Sequence, residues 1–389
     1  MTAGRNKVAA SLRDANHHHR IASWSDAATI AAAARLWLEP RSPWMARAKR
    51  ELTAFSPQMV ELGLRELFAD IAANAEELER REALRFTFDV SRATVCHVLS
   101  GNLPNPGVVS IVVGLLSGAR NVVKPAAGDL MPGLFIQSLA ATDPTLARRV
   151  TLTSDREAYR RADIVVAYGD DETIATLRAN TSAATSAFFG FGHRVSIGLV
   201  DFRQSKIQNQ KSKLAAAEAR DASLWDQQGC MSPQCFYVRG NAAAFAEALA
   251  REMETFDCRW PRATLPFEDA AAIARARSEW SFRGRVWASE GSTHWTVVLD
   301  ERGGWAATPL NRFVFVRPMA SRTGILPVSS SLGRRDACPT LSTVGFAGLS
   351  LKEVVGMAQA DRYCLLGEMQ RPSLLLTNGS RPRVGDLII

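Results

Sequence analysis

SGNLPNPGVVSIVVGLLSGARNVVKP, residues 100–125, decides the fold. The apolar run ATVCHVLSG (93–101) leads into it and stops at a glycine. A loop of Gly, Asn and Pro follows, as turn chemistry requires. SIVVGLLSGA then reads as a helix and NVVK as a compact strand cut off by Pro125. Working outward, MPGLFIQSLAA (131–141) is helical and RRVTLTS (148–154) a short strand. ADIVVAYG (162–169) is a buried strand, and DETIATLRAN (171–180) a helix. Strands alternating with helices need crossover connections, which predicts right-handed βαβ units and a mostly parallel sheet.

Further out, GLVD (198–201) adds a strand and KSKLAAAEARDASLW (211–225) a helix. A second block opens with CFYVRG (235–240) and the helix NAAAFAEALAREMETF (241–256). The strands HWTVVLD (294–300), NRFVFVRPM (311–319) and LSTVGFAG (341–348) follow, then the helix LSLKEVVGMAQA (349–360) and a tail punctuated by Pro and Gly. Upstream, QMVELGLRELFADIAANAEELERREALRF (58–86) carries apolar residues at helical spacing. The expected organisation is an α/β protein with a helical segment at 1–85, α/β domains at 86–220 and 221–345, and a closing segment at 346–389. Residues 321–340, rich in Ser, Pro and Gly, read as an inserted surface loop.

The chain has 389 residues, 47% of them apolar and 22% charged, which suits a globular protein with more than one core. No apolar run is long enough to predict a membrane span, and the first twenty residues lack the apolar core of a secretory signal. Six cysteines, at 96, 230, 235, 258, 338 and 364, form no CxxC pair and read as reduced thiols of a cytoplasmic protein. His17–His19 have no thiol nearby and only Asp14 as an acid within a few residues, so a solvated tail is expected and no metal site. The net charge of +8 attracts anions. There is no basic aromatic stripe, helix-turn-helix signal or zinc spacing to point to a nucleic acid, so none is expected as partner. A phosphorylated small molecule fits the charge equally well, and charge alone does not decide between them.

Three stretches could carry chemistry. Asn102 and Lys124 fall after strands, where open α/β sheets place their ligand-binding groups. An Asn amide can donate to an oxyanion and a Lys can meet a phosphate or sugar, although a turn-forming Asn and a solvated Lys fit the same pattern. Gly169 ends a strand ahead of Asp170 and Asp171, a place for a phosphate at a helix start or for a plain helix cap. WDQQGC (225–230) presents Cys230 behind a polar approach, which suits a thiol held open to substrate. Cys235, five residues on, reads as a small buried hydrophobe.

Taken together, GNLPNPG (101–107), NVVKP (121–125), WDQQGCMSPQ (225–234), LSTVG (341–345) and GEMQRP (367–372) resemble the aldehyde dehydrogenase superfamily. More closely they resemble its LuxC-type acyl-CoA reductases, over roughly residues 40–389. The resemblance implies an aldehyde-dehydrogenase-like fold, with a Rossmann-type cofactor domain and a second α/β catalytic domain. It implies that Cys230 accepts an acyl group, that Asn102 joins the Cys230 N–H in an oxyanion hole, that Lys124 contacts the adenosine ribose of a nicotinamide cofactor, and that Gly169 lies near its phosphates. Ala127 stands where NAD-preferring relatives carry a Glu, and with Lys124 and Arg120 nearby NADPH is expected. TSAATSAFFGFGHRVSIGLV (181–200) lacks the acid that activates water in hydrolytic relatives, so an acyl-enzyme is expected to be reduced and not hydrolysed. His193, in that stretch, can serve as an acid or base or as a structural histidine.

The resemblance further implies an acyl-CoA or acyl-protein thioester substrate, an acyl-protein synthetase partner and a homo-oligomer. An acyl-phosphate reductase of the glutamyl-phosphate reductase type and a non-catalytic family member are the alternatives.

Overall fold

The computed structural model describes residues 26–83, 93–182, 184–203, 208–302, 304–319 and 341–376. The His17–His19 run, Cys338 and the 321–340 insertion lie outside them.

Helices α1 (26–38), α2 (Pro43–Glu51) and α3 (Pro57–Ala83) come first. Then β1 (Thr94–Val98), α4 (Asn105–Leu116), β2 (Arg120–Lys124), α5 (Met131–Thr142), α6 (Pro144–Ala147), β3 (Val150–Leu152), β4 (Ile164–Tyr168), α7 (Asp171–Ala179) and β5 (Ala187–Phe191) follow. The second half holds β6 (Val195–Asp201), α8 (Gln208–Ser223), β7 (Pro233–Arg239), α9 (Ala242–Arg259), α10 (Phe267–Ser281), β8 (Arg285–Ala288), β9 (Thr296–Leu299), β10 (Phe313–Pro318), β11 (Leu341–Ala347), α11 (Leu351–Met357) and β12 (Ala360–Leu365).

Backbone contacts divide the chain into two compact units, one of residues 1–51, 64–192 and 373–389, the other of 52–63 and 193–372. The first unit holds a five-stranded parallel sheet in the order β3-β2-β1-β4-β5. The chain leaves β1 toward β2 on one side and reaches β4 on the other, which makes the β1/β4 edge the switch point of a doubly wound sheet. Val165 and Ala167 on β4 are buried with Cys96 and Tyr159 in a compact core. Helices α1 and α2 and the part of α3 from residue 64 onward join this unit: Trp37 stacks on Phe68 with ring centroids 4.3 Å apart and donates from Nε1 to Ser138 Oγ on α5 at 2.9 Å.

A buried polar chain ties three of its elements. His97 on β1 lies 2.7 Å from Ser110 Oγ on α4 and 2.9 Å from Asn121 Oδ1 on β2. Asn121 Oδ1 can only accept, so His97 Nε2 carries the proton and Nδ1 accepts from the Ser110 hydroxyl. The ring is fully buried, and burial pushes His97 down to about 4.

In the second unit seven strands run β12-β11-β6-β7-β10-β9-β8, all neighbours parallel except β8 against β9. Two cores line it. One is built around Phe236, Phe245, Met253 and Val316, the other around Ile197, Tyr237, Phe315 and Val344.

The change of domain expected at 220–221 falls elsewhere. β6 pairs with β7 and β11, so 193–220 go with the unit that carries Cys230. Nor is 346–372 a separate closing piece, since β12 completes the second sheet.

Candidate active site

Cys230 sits between a 3₁₀ turn at Leu224–Gln227 and β7, and it is exposed. The polar residues ahead of it do not form an open approach. Trp225, Asp226 and Gln227 are buried, and all three adopt left-handed backbone, with φ of 54°, 51° and 64°. Leu310, Asn311 and Arg312 form a second left-handed triplet ahead of β10, with φ of 58°, 59° and 65°. Such conformations cost a residue with a side chain roughly 1–3 kcal/mol and persist only where the surroundings over-determine them.

Here the two triplets brace one another. Arg312, fully buried, donates to Asp226 Oδ1 from Nε at 2.9 Å and from Nη2 at 2.7 Å, to Asp257 Oδ1 at 2.6 Å and to the Trp260 carbonyl at 2.9 Å. Gln227 bridges two strands: its Nε2 donates to the carbonyls of Pro233 and Phe313 at 2.9 Å, and its Oε1 accepts from Phe313 N at 2.8 Å. Gln228 donates to Asn311 Oδ1 at 2.9 Å. Trp225 packs edge-on against Phe55, ring centroids 5.0 Å apart, and over Gly63, where a Cβ would overlap the indole. WDQQ is therefore a set of anchors that fixes the turn carrying the thiol.

Two further motifs hold the turn from its other side. Ser196 Oγ on β6 donates to the Cys230 carbonyl at 2.7 Å and accepts from Thr343 N at 3.0 Å. The Ser342 hydroxyl lies 3.9 Å from Cys230 Sγ. Gln370 donates to Ser232 Oγ, and Asp221 on α8 accepts from Gly367 N at 2.6 Å and Met369 N at 3.2 Å. Arg362 reaches Met231 Sδ at 3.8 Å and the Met369 carbonyl at 2.7 Å. LSTVG and GEMQRP thus enclose the cysteine turn. The sequence marked both motifs but offered no signal tying 196, 342 or 370 to residue 230.

Although the residue is exposed, enough protein surrounds the sulfur that burial raises the Cys230 thiol above its ordinary value. The Ser342 hydrogen bond, Arg194 and the residue's own N–H act in the opposite direction. Arg194 is paired with Asp361. The resting sulfur is thus held as a thiol with thiolate-favouring groups beside it. Cys235 is fully buried and pushed up to about 12, which makes it inert. His193 is exposed at the start of the second unit. Among the described residues, no three His, Cys, Asp or Glu converge as a metal site.

Asn102, Lys124 and Gly169 belong to the first unit, where the fold brings them to the carboxyl edge of one sheet. Lys124 ends β2 in register with Val98, which in turn pairs with Ala167 on β4. Asn102 follows in the loop after β1 and Gly169 follows β4. Ser100 Oγ donates to Asn102 Oδ1 at 2.7 Å, fixing the side-chain amide. Gly101 has φ of +73°, and a Cβ there would lie 2.5 Å from Ala126 Cβ, so the Asn102 and Lys124 loops touch only because residue 101 is glycine.

Arg120 does not belong to this group. It starts β2, four residues before Lys124 and about 13 Å away at the opposite edge. Beyond Gly169, Asp170 caps α7 by accepting from Thr173 N at 2.6 Å, so the cap reading of that stretch holds and the helix start carries its own carboxylate.

The family model described as acyl-CoA reductase (LuxC) matches residues 28–372. The chain belongs to the LuxC acyl-CoA reductase family. The long-chain acyl-protein thioester reductase of Aliivibrio fischeri is 24% identical to this LuxC-family chain over 244 residues, 59% of the chain and 50% of that protein. That of Photorhabdus luminescens is 24% identical over 285 residues, 70% and 57% respectively. The LuxC chain thus spans about half the length of the curated relatives it matches.

Among solved structures, succinic semialdehyde dehydrogenase from Streptococcus pyogenes in complex with NADP+ superposes with a TM-score of 0.67 at 13% identity, covering 94% of this chain and 88% of that one. Aldehyde dehydrogenase 21 from Physcomitrella patens gives 0.67 at 11%, covering 94% and 84%. The fold is aldehyde-dehydrogenase-like α/β, as the resemblance implied.

Proposed function

We propose that this chain reduces a long-chain fatty acyl thioester, acyl-CoA or acyl-protein, to the aldehyde, with the acyl group carried on Cys230 and NADPH as reductant. The observation that carries the reading is Cys230 itself: an exposed cysteine on a strained, doubly braced turn with a hydroxyl at its sulfur. The relatives named as acyl-protein thioester reductases support the substrate class.

Cys230 Sγ gives up its proton and attacks the thioester carbonyl. The bond to the incoming sulfur forms, and the bond to the donor thiol breaks as that thiol takes a proton. Asn102 and the Cys230 N–H are assigned to the carbonyl oxygen as charge builds on it. When bound, reduced nicotinamide would supply the hydride for the acyl carbon. The resulting oxyanion is protonated to a thiohemiacetal, whose C–S bond breaks to release aldehyde and restore the thiol. The stretch 181–200 offers no carboxylate to activate water, which favours reduction over hydrolysis.

Lys124 is assigned to the cofactor's adenosine ribose and Gly169 to the neighbourhood of its phosphates. The carboxyl edge of a doubly wound parallel sheet fits a dinucleotide. Ala127 is exposed and brings no carboxylate against a 2′-phosphate, while Asp129 is engaged by Met131 N at the start of α5. With Arg120 at the other edge, the positive charge supporting NADPH here is Lys124.

The test is an acyl-CoA ladder with NADPH oxidation and aldehyde both measured, together with radiolabelled acyl donor on Cys230→Ala. Wild-type protein should consume NADPH, yield aldehyde and carry label, and the variant should do none of these. A base-labile acyl adduct on the variant would overturn the assignment.

A further inference from the structure

We propose that Ser342 is a catalytic hydrogen-bond donor to Cys230, its hydroxyl holding the sulfur in place and stabilising the negative charge that the attacking sulfur carries. This rests on the reading of Cys230 as the nucleophile.

The geometry is local to one unit. Ser342 is the second residue of β11, buried, with Oγ 3.9 Å from Cys230 Sγ, within hydrogen-bonding reach for sulfur. Its neighbour Thr343 is fixed to the same turn, since Thr343 N donates to Ser196 Oγ and Ser196 donates to the Cys230 carbonyl. The strand therefore holds the cysteine twice, through Ser196 at its backbone and directly at its sulfur, from a register shift between Leu341 and Val344 in the β11–β6 pairing. A hydroxyl can donate to a thiolate or accept from a thiol, so it can follow the sulfur through both states.

The charged groups acting on the sulfur are Arg194 from the start of β6 and Asp361 from β12, paired with each other, so each offsets part of the other's effect. That leaves two direct donors, the residue's own N–H and the Ser342 hydroxyl, of which the serine is the one that a side-chain substitution removes. Hydrogen bonds to charged acceptors are the stronger class.

The experiment is alkylation of the full chain by iodoacetamide, followed on the Cys230 peptide by mass spectrometry from pH 6 to pH 11. Ser342→Ala should slow alkylation at pH 7 by about tenfold and move the pH midpoint upward by about one unit, with the limiting rate at high pH retained. Ser342→Thr, which keeps the hydroxyl, should restore the wild-type midpoint. An unmoved midpoint in a Ser342→Ala protein that melts like wild type overturns the assignment, as does failure of the Thr variant to restore it. Alkylation uses no acyl donor. A shifted midpoint without any acyl adduct on Cys230 would therefore uphold the Ser342 assignment and remove only the acyl-transfer reading.

Discussion

His97 shows how a single side chain writes a pH dependence into the fold. In the folded protein it stays neutral down to about 4, whereas an unfolded histidine takes its proton near 6.5. Above pH 6.5 neither state binds the proton and the residue contributes no slope. Between 6.5 and 4 the unfolded chain is protonated and the folded one is not, so stability falls as pH falls, by about 3 kcal/mol across the window. Burial raises Glu79, Glu218 and Asp221, which adds stability as pH falls, so His97 is read by difference. Between pH 7 and pH 4.5 the urea stability of His97→Gln should change by about 3 kcal/mol less unfavourably than that of wild type, and an equal change in both would place the titration elsewhere.

The cysteines make a parallel point. Cys96 and Cys235 are both buried and pushed up to about 12, while Cys230 and Cys258 are exposed. The unusual residues around 230 drew attention to an exposed thiol, but they are not the open polar approach they looked like. Asp226 and Gln227 looked like solvent-facing groups because single residues carry no record of their partners, and those partners stand 86 positions away at 312 and 313.

At the scale of elements, the facing left-handed triplets at 225–227 and 310–312 make the brace that sets the cysteine turn. Arg312 joins them, and removing its charge leaves Asp226 and Asp257 without their shared cation. Arg312→Met should destabilise the protein by about 3–5 kcal/mol, the usual loss when one member of a buried ion network goes. A urea midpoint within error of wild type would show that the network contributes nothing.

Central strands were legible because β4, β6, β7 and β10 are buried along nearly their whole lengths and read as continuous apolar runs. The strands that escaped sequence reading stand at sheet edges. β8 and β12 have no fully buried position and share their residues with ordinary loop composition. β5 is an edge strand whose glycine and half-buried phenylalanine weaken its signal. α10 buries only Ile273, too little to mark a helical face.

For the molecule as a whole, the assigned roles divide between two units, with Cys230 in one and Asn102, Lys124 and Gly169 in the other. A change confined to the cofactor role should therefore leave thiol chemistry alone. Lys124→Ala should weaken NADPH binding about tenfold, read by fluorescence titration, without altering the rate of Cys230 alkylation. Unchanged affinity would remove Lys124 from the ribose. The boundary near 192 was not legible because β5 and β6 are close in sequence and alike in composition. Only strand pairing assigns one to each sheet.

The hold of residues 342, 343, 362 and 370 on the cysteine turn and its neighbours also has a consequence for biosynthesis. A nascent chain paused on the ribosome near residue 330 already contains the sulfur, the tryptophan and the arginine brace, yet none of the groups that enclose the turn from β11 onward. Parallel pairing between distant segments is slow to form. The thiol thus acquires these surroundings only once β11 and the segment after it have been translated and docked.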